Sequence, residues 1–457
     1  MSNQAKGMHG IWTSRWTFIM AATGSAVGLG NMWKFPYVAG SYGGGAFVLV
    51  YLVCILLIGV PVMMAEVLLG RQGRQSPINS MRDAVAASDS PSAWRYIGWL
   101  GITAGLFILS FYAVIAGWAL DYIVQMARGD LRGADGEMAA ALFLNLTENP
   151  LRLILWQTIF LGLCIGVVAG GVKKGLGSAV EVLMPLLFVM LLGMLLFAIL
   201  KGNFSAAWDF LFAVDFSSLT WRAVLEAMGL AFFTLSIGMG SIMAYGAYMP
   251  ADASIGKTVL IVALFDSLVA IIAGLVIFSI VFSTSGIEPS AGPGLMFISL
   301  PVAFGNMPGG LFIGVVFFIL VAIAAWSSAI SLLEPAVAWL MEAKHIGRIT
   351  ANVVLASIAW VLGLGTVFSF NIAADMTVAG FTFFDALDFL TANIMLPLGG
   401  LGIALFVGFV MKRELVSGQM SEMNSTAMGM WRLALCYLAP VAIVSIFVMG
   451  IYDKFFI

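Results

Sequence analysis

Apolar residues along this chain neither alternate nor keep to one helical stripe. They run in blocks of about twenty residues or more, divided by short polar or glycine-rich interruptions. Blocks of that length match a hydrocarbon core about 30 Å thick crossed at about 1.5 Å per residue. They predict membrane-spanning helices near 15–40, 44–70, 97–127, 152–171, 177–200, 221–248, 257–283, 308–342, 349–369, 383–411 and 432–452, eleven in all. The blocks are far too long for the core of a soluble domain. The expected fold class is therefore an all-α polytopic membrane protein.

Two blocks are broken at matching places, by Val27-Gly28-Leu29-Gly30-Asn31 and by Ile237-Gly238-Met239-Gly240-Ser241. One Gly-x-Gly in a membrane helix reads equally well as close helix packing. Two in corresponding spans point instead to discontinuous helices around a midplane site, the pattern of secondary transporters built from inverted repeats. The expected organisation is a single transporter domain over 1–457, with one repeat at about 11–200, a second at about 221–412 and an extra helix at about 432–452. The Gly- and Pro-rich stretch 284–310 and the mixed-charge stretch 129–148 are expected as structured exterior loops.

Composition narrows the function further. The chain is 61% hydrophobic and 10% charged with a net charge of −2, which gives no basic face for nucleic acid. Its two histidines, His9 and His345, are too distant for a His-based metal site, and Cys54, Cys164 and Cys436 lie inside apolar blocks as small packing residues. Polar residues 1–15 give no cleavable leader, so the first span is expected to be retained. With the N-terminus cytoplasmic, 14 Lys and Arg fall on the inner side and 6 on the outer, Lys34 lying within a span. That asymmetry predicts a multi-pass protein of a bacterial plasma membrane with the N-terminus inside and, with an odd span count, the C-terminus outside. The lipid bilayer is its expected surrounding partner. No nucleophile with an adjacent base stands out among the polar residues of the spans, so no enzyme activity is expected.

The run Gly24-Ser25-Ala26-Val27-Gly28-Leu29-Gly30-Asn31-Met32-Trp33-Lys34-Phe35-Pro36 is followed by Gly43-Gly44-Gly45-Ala46-Phe47. With Ser110-Phe111-Tyr112, Phe232-Phe233-Thr234-Leu235-Ser236 and Ser327-Ser328, in that order and at those depths, the chain closely resembles the neurotransmitter:sodium symporter family. Within it, eleven spans and Met239 look most like the bacterial branch that carries hydrophobic amino acids. The resemblance implies an amino acid substrate and two coupled sodium ions. It implies that backbone near Leu29 and Gly30, together with Tyr112, holds the substrate carboxylate, while carbonyls of Ala26, Phe233 and Thr234 meet its ammonium beside Ser236. Ser25, Gly28 and Ser328 complete the lining. Monoamine carriers of the family have an aspartate where Gly28 stands, so its absence implies an amino acid. Ile108, Phe233, Met239 and Leu332 would form an apolar side-chain subsite spanning aliphatic to aromatic substrates, helped by the adaptable Met239.

For a first sodium ion the resemblance implies Ala26, Asn31 and Thr234, with Asp266 in place of the usual Asn. A buried carboxylate there costs at least about 2.5–3.5 kcal/mol unless a cation compensates it. Asp266 would replace the chloride that other members require, and its protonation in the empty carrier would give proton antiport. A second sodium ion would use Gly24, Val27, Ala324, Ser327 and Ser328, Ser327 replacing the commoner Thr. Lys34 and Asp388 match an outer gate whose usual Arg is Lys here, so a looser, water-bridged pair is expected. Leu230 replaces the family's outer Gln. On the inner side Tyr248 matches a closing residue, and Glu342 an acid whose usual Arg partner is here His9, with Lys6 a substitute. Gly175 and Pro185 match a segment that unwinds toward the cytoplasm. A non-transporting amino acid sensor using the same site is the alternative.

Overall fold

The computed structural model describes residues 10–12, 14–284 and 294–456. Helices account for most of them, with no strand beyond an isolated bridge between Val378 and Phe381. The first apolar block is split into α1 (Arg15–Ala26) and α2 (Phe35–Ser41), joined by a wide helical turn at Gly30–Lys34. Continuous helices follow: α3 (Gly45–Gly73), α4 (Ser92–Arg128), α5 (Pro150–Ala169) and α6 (Val172–Lys201). The second broken block gives α7 (Trp221–Thr234) and α8 (Ser241–Ala247). The remainder are α9 (Ile255–Val281), α10 (Gly310–Lys344), α11 (Arg348–Ser369), α12 (Phe383–Val410) and α13 (Ser425–Met449). Among the described residues nine helices are long and apolar enough to cross a membrane. Those nine and the two broken segments coincide with the apolar blocks of the sequence.

Local chemistry sets the helix starts. Ser14, Asn149, Thr220 and Ser254 each stand one residue before a helix and accept an amide with the side-chain oxygen, satisfying a donor the helix itself cannot. Exposed apolar residues such as Leu155, Val189, Leu192, Leu264 and Val361 mark outward faces of α5, α6, α9 and α11. In hydrocarbon such faces cost nothing, so they need no covering. Inside, α4 packs along α10, and α1 is held between α9, α10 and α6. α3 and α8 approach closely because Gly246 lacks a side chain: a Cβ there would meet the Val67 carbonyl at 2.8 Å.

Both connections expected as exterior loops carry structure. Gly136–Thr147 is helical, and Leu295–Asn306 forms a helix whose Phe297 is fully buried against Trp118 and Phe143, its carbonyl accepting the Tyr122 hydroxyl at 2.6 Å. Of the Gly- and Pro-rich residues expected in that loop, Gly286, Pro289, Gly292 and Pro293 lie outside the described residues. α6 runs helically through Pro185, with a wide turn at Val172–Gly177, so this conformation is wound where unwinding is expected.

Candidate functional site

Both breaks lie deep in the bundle and their free backbone groups find specific partners. At the first, the Gly28 amide donates to Asn31 Oδ1 (3.1 Å) and the Leu29 amide to Tyr112 Oη (3.1 Å), leaving the Tyr112 proton free to point elsewhere. Ser328 Oγ lies 2.8 Å from the Ser25 carbonyl, 3.3 Å from that of Val27 and 3.4 Å from that of Gly24. The second break turns through left-handed backbone at Ser236, Gly238 and Gly240, with φ of 55°, 82° and 76°. A non-glycine residue in that region costs about 1–3 kcal/mol. Ser236 is held there by donating to the Ser25 carbonyl at 2.8 Å, which ties the two breaks together.

Between the breaks is a small, tight cavity. Ser25, Ala26, Gly28 and Gly30 of the first break line it, with Ser236 and Met239 of the second. Ile108, Tyr112, Phe233, Ser328 and Leu332 close its remaining walls. Polar groups gather on the backbone side, and Ile108, Phe233, Met239 and Leu332 supply apolar ones. A Cβ on Gly28 would lie 2.7 Å from Tyr112 Oη and 3.0 Å from Ser328 Cβ, so no larger residue fits without displacing the wall. Of the substrate set expected from the sequence, Leu29 and Thr234 do not line this cavity; both are buried beside it.

Thr234 faces a second cluster. Asn31 Nδ2 donates to Asp266 Oδ1 at 2.7 Å and to the Asp266 carbonyl at 3.1 Å. The hydroxyls of Tyr51 and Thr234 are 3.0 Å apart, and Tyr51 Oη donates to Asp266 Oδ2 at 3.4 Å. All four side chains are buried, and among the described residues no Lys, Arg or His comes within 4 Å of Asp266. A buried carboxylate beside the Tyr51 and Thr234 hydroxyls and the Asn31 amide, lacking a countercharge, suits a small hard cation.

Against Ser328 stand the Gly24 and Val27 carbonyls already described. Ser327 Oγ instead donates to the Ala324 carbonyl at 3.0 Å, a bond within its own helix. Gly24 is hemmed by Met184, whose Sδ would be 3.2 Å from an added Cβ.

A model of the sodium:neurotransmitter symporter family matches residues 9–137 and 147–455. The chain belongs to that family. It is 35% identical over 439 residues to an uncharacterized sodium-dependent transporter, YhdH, of Bacillus subtilis (strain 168), covering 95% of this chain and 96% of that one. The sodium-dependent dopamine transporter of Bos taurus is 27% identical over 498 residues, covering 96% of this chain and 68% of its own. The crystal structure of MhsT in complex with L-phenylalanine matches with a TM-score of 0.89 at 40% identity, covering 96% of this chain and 99% of that one. The chain is thus a multi-pass, sodium-dependent transporter of small molecules.

The positions expected from the sequence to gate this symporter are arranged differently on its two sides. On one side of the central cavity, Lys34, Arg222, Glu226 and Asp388 line a polar cavity that shares Phe233 with the central one, so that ring is the partition between them. Lys34 Nζ sits 5.2 Å from the Phe233 ring centre, and no ion pair within 4 Å joins it to Asp388. On the opposite side, the Trp12 amide donates to the Tyr248 carbonyl at 2.9 Å and its ring packs edge-on to Tyr245 and Tyr248. Tyr248 Oη donates to Glu334 Oε1 at 2.8 Å. Glu342 accepts from the Ser76 amide at 2.8 Å, from the Ser76 hydroxyl and from Asn79 Nδ2 at 2.6 Å, which pins it to the start of helix Pro77–Ala87. His9, its expected partner, and Lys6 lie outside the described residues.

Several residues of this symporter's interior carry no motif that sequence reading singled out. Glu66 accepts the Gly238 amide at 2.6 Å and so steadies the second break. Arg348 grips Glu334 with both nitrogens, at 2.7 and 2.9 Å. Ser331 Oγ lies 2.8 Å from Ser25 Oγ, while its carbonyl accepts Ser241 Oγ at 2.8 Å. For Glu66 and Glu334 the available signal is an acid inside an apolar block. Tyr51 and Ser331 offer none.

Proposed function

We propose that this chain is a symporter that imports hydrophobic L-amino acids, aliphatic to aromatic, coupled to two sodium ions and independent of chloride. It works by alternating access in a bacterial plasma membrane, with the N-terminus cytoplasmic and the C-terminus outside, and its two repeats are inverted copies followed by an extra helix. The observation that carries this reading is the central cavity, where the Gly28–Gly30 backbone and Tyr112 meet the apolar wall of Ile108, Phe233, Met239 and Leu332. The similarity to a protein solved with L-phenylalanine supports the substrate class.

In this reading the Tyr112 hydroxyl, whose oxygen already accepts the Leu29 amide, turns its proton to the substrate carboxylate. Backbone near Leu29 and Gly30 supports the same group, and carbonyls of Ala26, Phe233 and Thr234 take the ammonium beside Ser236. The first sodium ion is held by Ala26, Asn31, Thr234 and Asp266. Because the same first-break backbone serves ion and substrate, each improves the other's site, and the linkage is reciprocal. The second sodium ion takes Gly24, Val27, Ala324, Ser327 and Ser328, with the Ser327 hydroxyl leaving its helix carbonyl to reach it. Filling that site ties α1 to α10 and favours the outward-facing population. While sodium is bound, the ionised Asp266 supplies the negative charge that chloride would bring. Its protonation in the empty carrier makes the return step a proton antiport.

Uptake of radiolabelled leucine and phenylalanine into proteoliposomes tests the proposal, with sodium or potassium gradients and with chloride or gluconate. Sodium-driven accumulation that is equal in both anions is expected. Sodium-dependent binding without accumulation would identify a sensor, and accumulation only in chloride would remove Asp266 from its role.

A further inference from the structure

The end of the bundle richest in Lys and Arg holds a cavity unconnected with transport, between the close of α12 and the start of α13. It is lined by Gly408, Phe409, Arg413, Arg432, Cys436 and Tyr437, among others, and no acidic residue contributes to it. The neighbouring cation, Lys412, is already engaged, 2.5 Å from Asp89. Arg413 and Arg432 have no such partner: among the described residues neither lies within 4 Å of a carboxylate. Arg432 is half-buried and donates to the Gly408 carbonyl at 3.3 Å, which holds its guanidinium at the cavity wall.

The rest of the site has the character of a lipid seat. Phe409 and Tyr437 stand edge to face with centroids 6.0 Å apart, and both are more than half exposed although apolar or aromatic. Leu433 and Leu438 carry the exposed apolar surface further along α13. The floor is tight, since a Cβ on Gly408 would lie 2.8 Å from Cys436 Sγ. Two unpaired guanidinium groups at a helix boundary, with an aromatic pair and apolar surface leading toward the hydrocarbon, match a phosphodiester above acyl chains. A soluble anion would use the arginines and ignore the apolar flank.

We propose that this cavity binds the phosphate headgroup of an anionic phospholipid between Arg413 and Arg432, with the lipid's chains against Phe409, Leu433 and Tyr437. The site depends on the chain's membrane placement and not on the transport reading, because it is read on purified protein without sodium or substrate. The experiment titrates full-length protein in detergent with fluorescent phosphatidylglycerol, then with phosphatidylcholine, glycerol phosphate and inorganic phosphate as competitors. Phosphatidylglycerol is expected to bind, unlabelled phosphatidylglycerol to displace it, and the other three to compete poorly.

Each arginine at the membrane surface contributes about 1 kcal/mol to holding an anionic lipid, so Arg413→Gln with Arg432→Gln should weaken binding about 30-fold. Arg413→Lys with Arg432→Lys keeps the charge and should recover most of it, which separates charge loss from misfolding. A control pair, Arg82→Gln with Arg95→Gln, removes the same charge elsewhere at that end and should leave binding unchanged. Equal loss from the control pair, or displacement by inorganic phosphate as effective as by the lipid, would overturn the proposal.

Discussion

Replacing Asp266 by Asn puts back the family's usual residue and removes one charge without changing shape. The carboxylate is buried, bonded only to Asn31, Tyr51 and its surrounding hydroxyls, and has no cation within 4 Å among the described residues. Two effects of opposite sign follow. Without sodium, relieving a mid-membrane carboxylate of a burial cost of about 2.5–3.5 kcal/mol should leave the variant as stable as the parent or more so. With sodium, the loss is an ion-pair attraction of about 4 kcal/mol for unit charges about 4 Å apart at an effective dielectric of about 20. The amide oxygen still serves as a ligand and recovers about half, so the sodium concentration for half-maximal leucine binding should rise about 30-fold, equivalent to about 2 kcal/mol. Chloride should now lower it again. The assay is equilibrium binding of radiolabelled leucine against sodium, in chloride and in gluconate, with thermal melting in sodium-free buffer alongside. An unchanged sodium requirement, or chloride dependence already present in the parent, would refute the assignment of fixed charge to Asp266.

Other perturbations follow from the same contacts. Gly28→Ala pushes a methyl into Ser328 Oγ and Tyr112 Oη, so leucine binding should fall at least tenfold while stability, read from thermal melting, drops by an overpacking cost of only about 1–3 kcal/mol. Arg348→Gln leaves the fully buried Glu334 uncompensated, and should destabilise by about 3–5 kcal/mol, with Glu334→Gln in the same chain restoring part of it. In the melting assay, an Arg348→Gln loss below about 1 kcal/mol would show that pair to be ornamental. Ser331→Ala removes the hydroxyl link to Ser25 at a cost of about 1–2 kcal/mol and should weaken the coupling between sodium and leucine binding more than it weakens leucine binding in saturating sodium. Parallel loss at every sodium concentration would make Ser331 a packing residue alone.

The membrane fold was legible in the chain because its physics is local. A span needs about twenty apolar residues whatever its neighbours do. A Gly-x-Gly interrupts a helix through its own backbone freedom, so the breaks at Gly28–Gly30 and Gly238–Gly240 could be read without a structure. Side chains that act on those breaks were readable only where a motif marked them, as with Tyr112 and Ser328. What tertiary structure alone decided is which distant groups meet. Tyr51 reaches Thr234 across 183 positions and Ser25 reaches Ser331 across 306, pairings that depend on helix crossing and rotation rather than on either residue's type. Glu342 was readable as an acid at the inner end of α10, but only the packed bundle commits it to Ser76 and Asn79. Lys34 and Asp388 were readable as opposite charges near the outer mouth. Their separation across a shared cavity, with Lys34 over Phe233, is fixed by how α12 leans on the first break, because a hydrogen bond or ion pair requires placement to within an ångström that sequence spacing between separate helices does not carry.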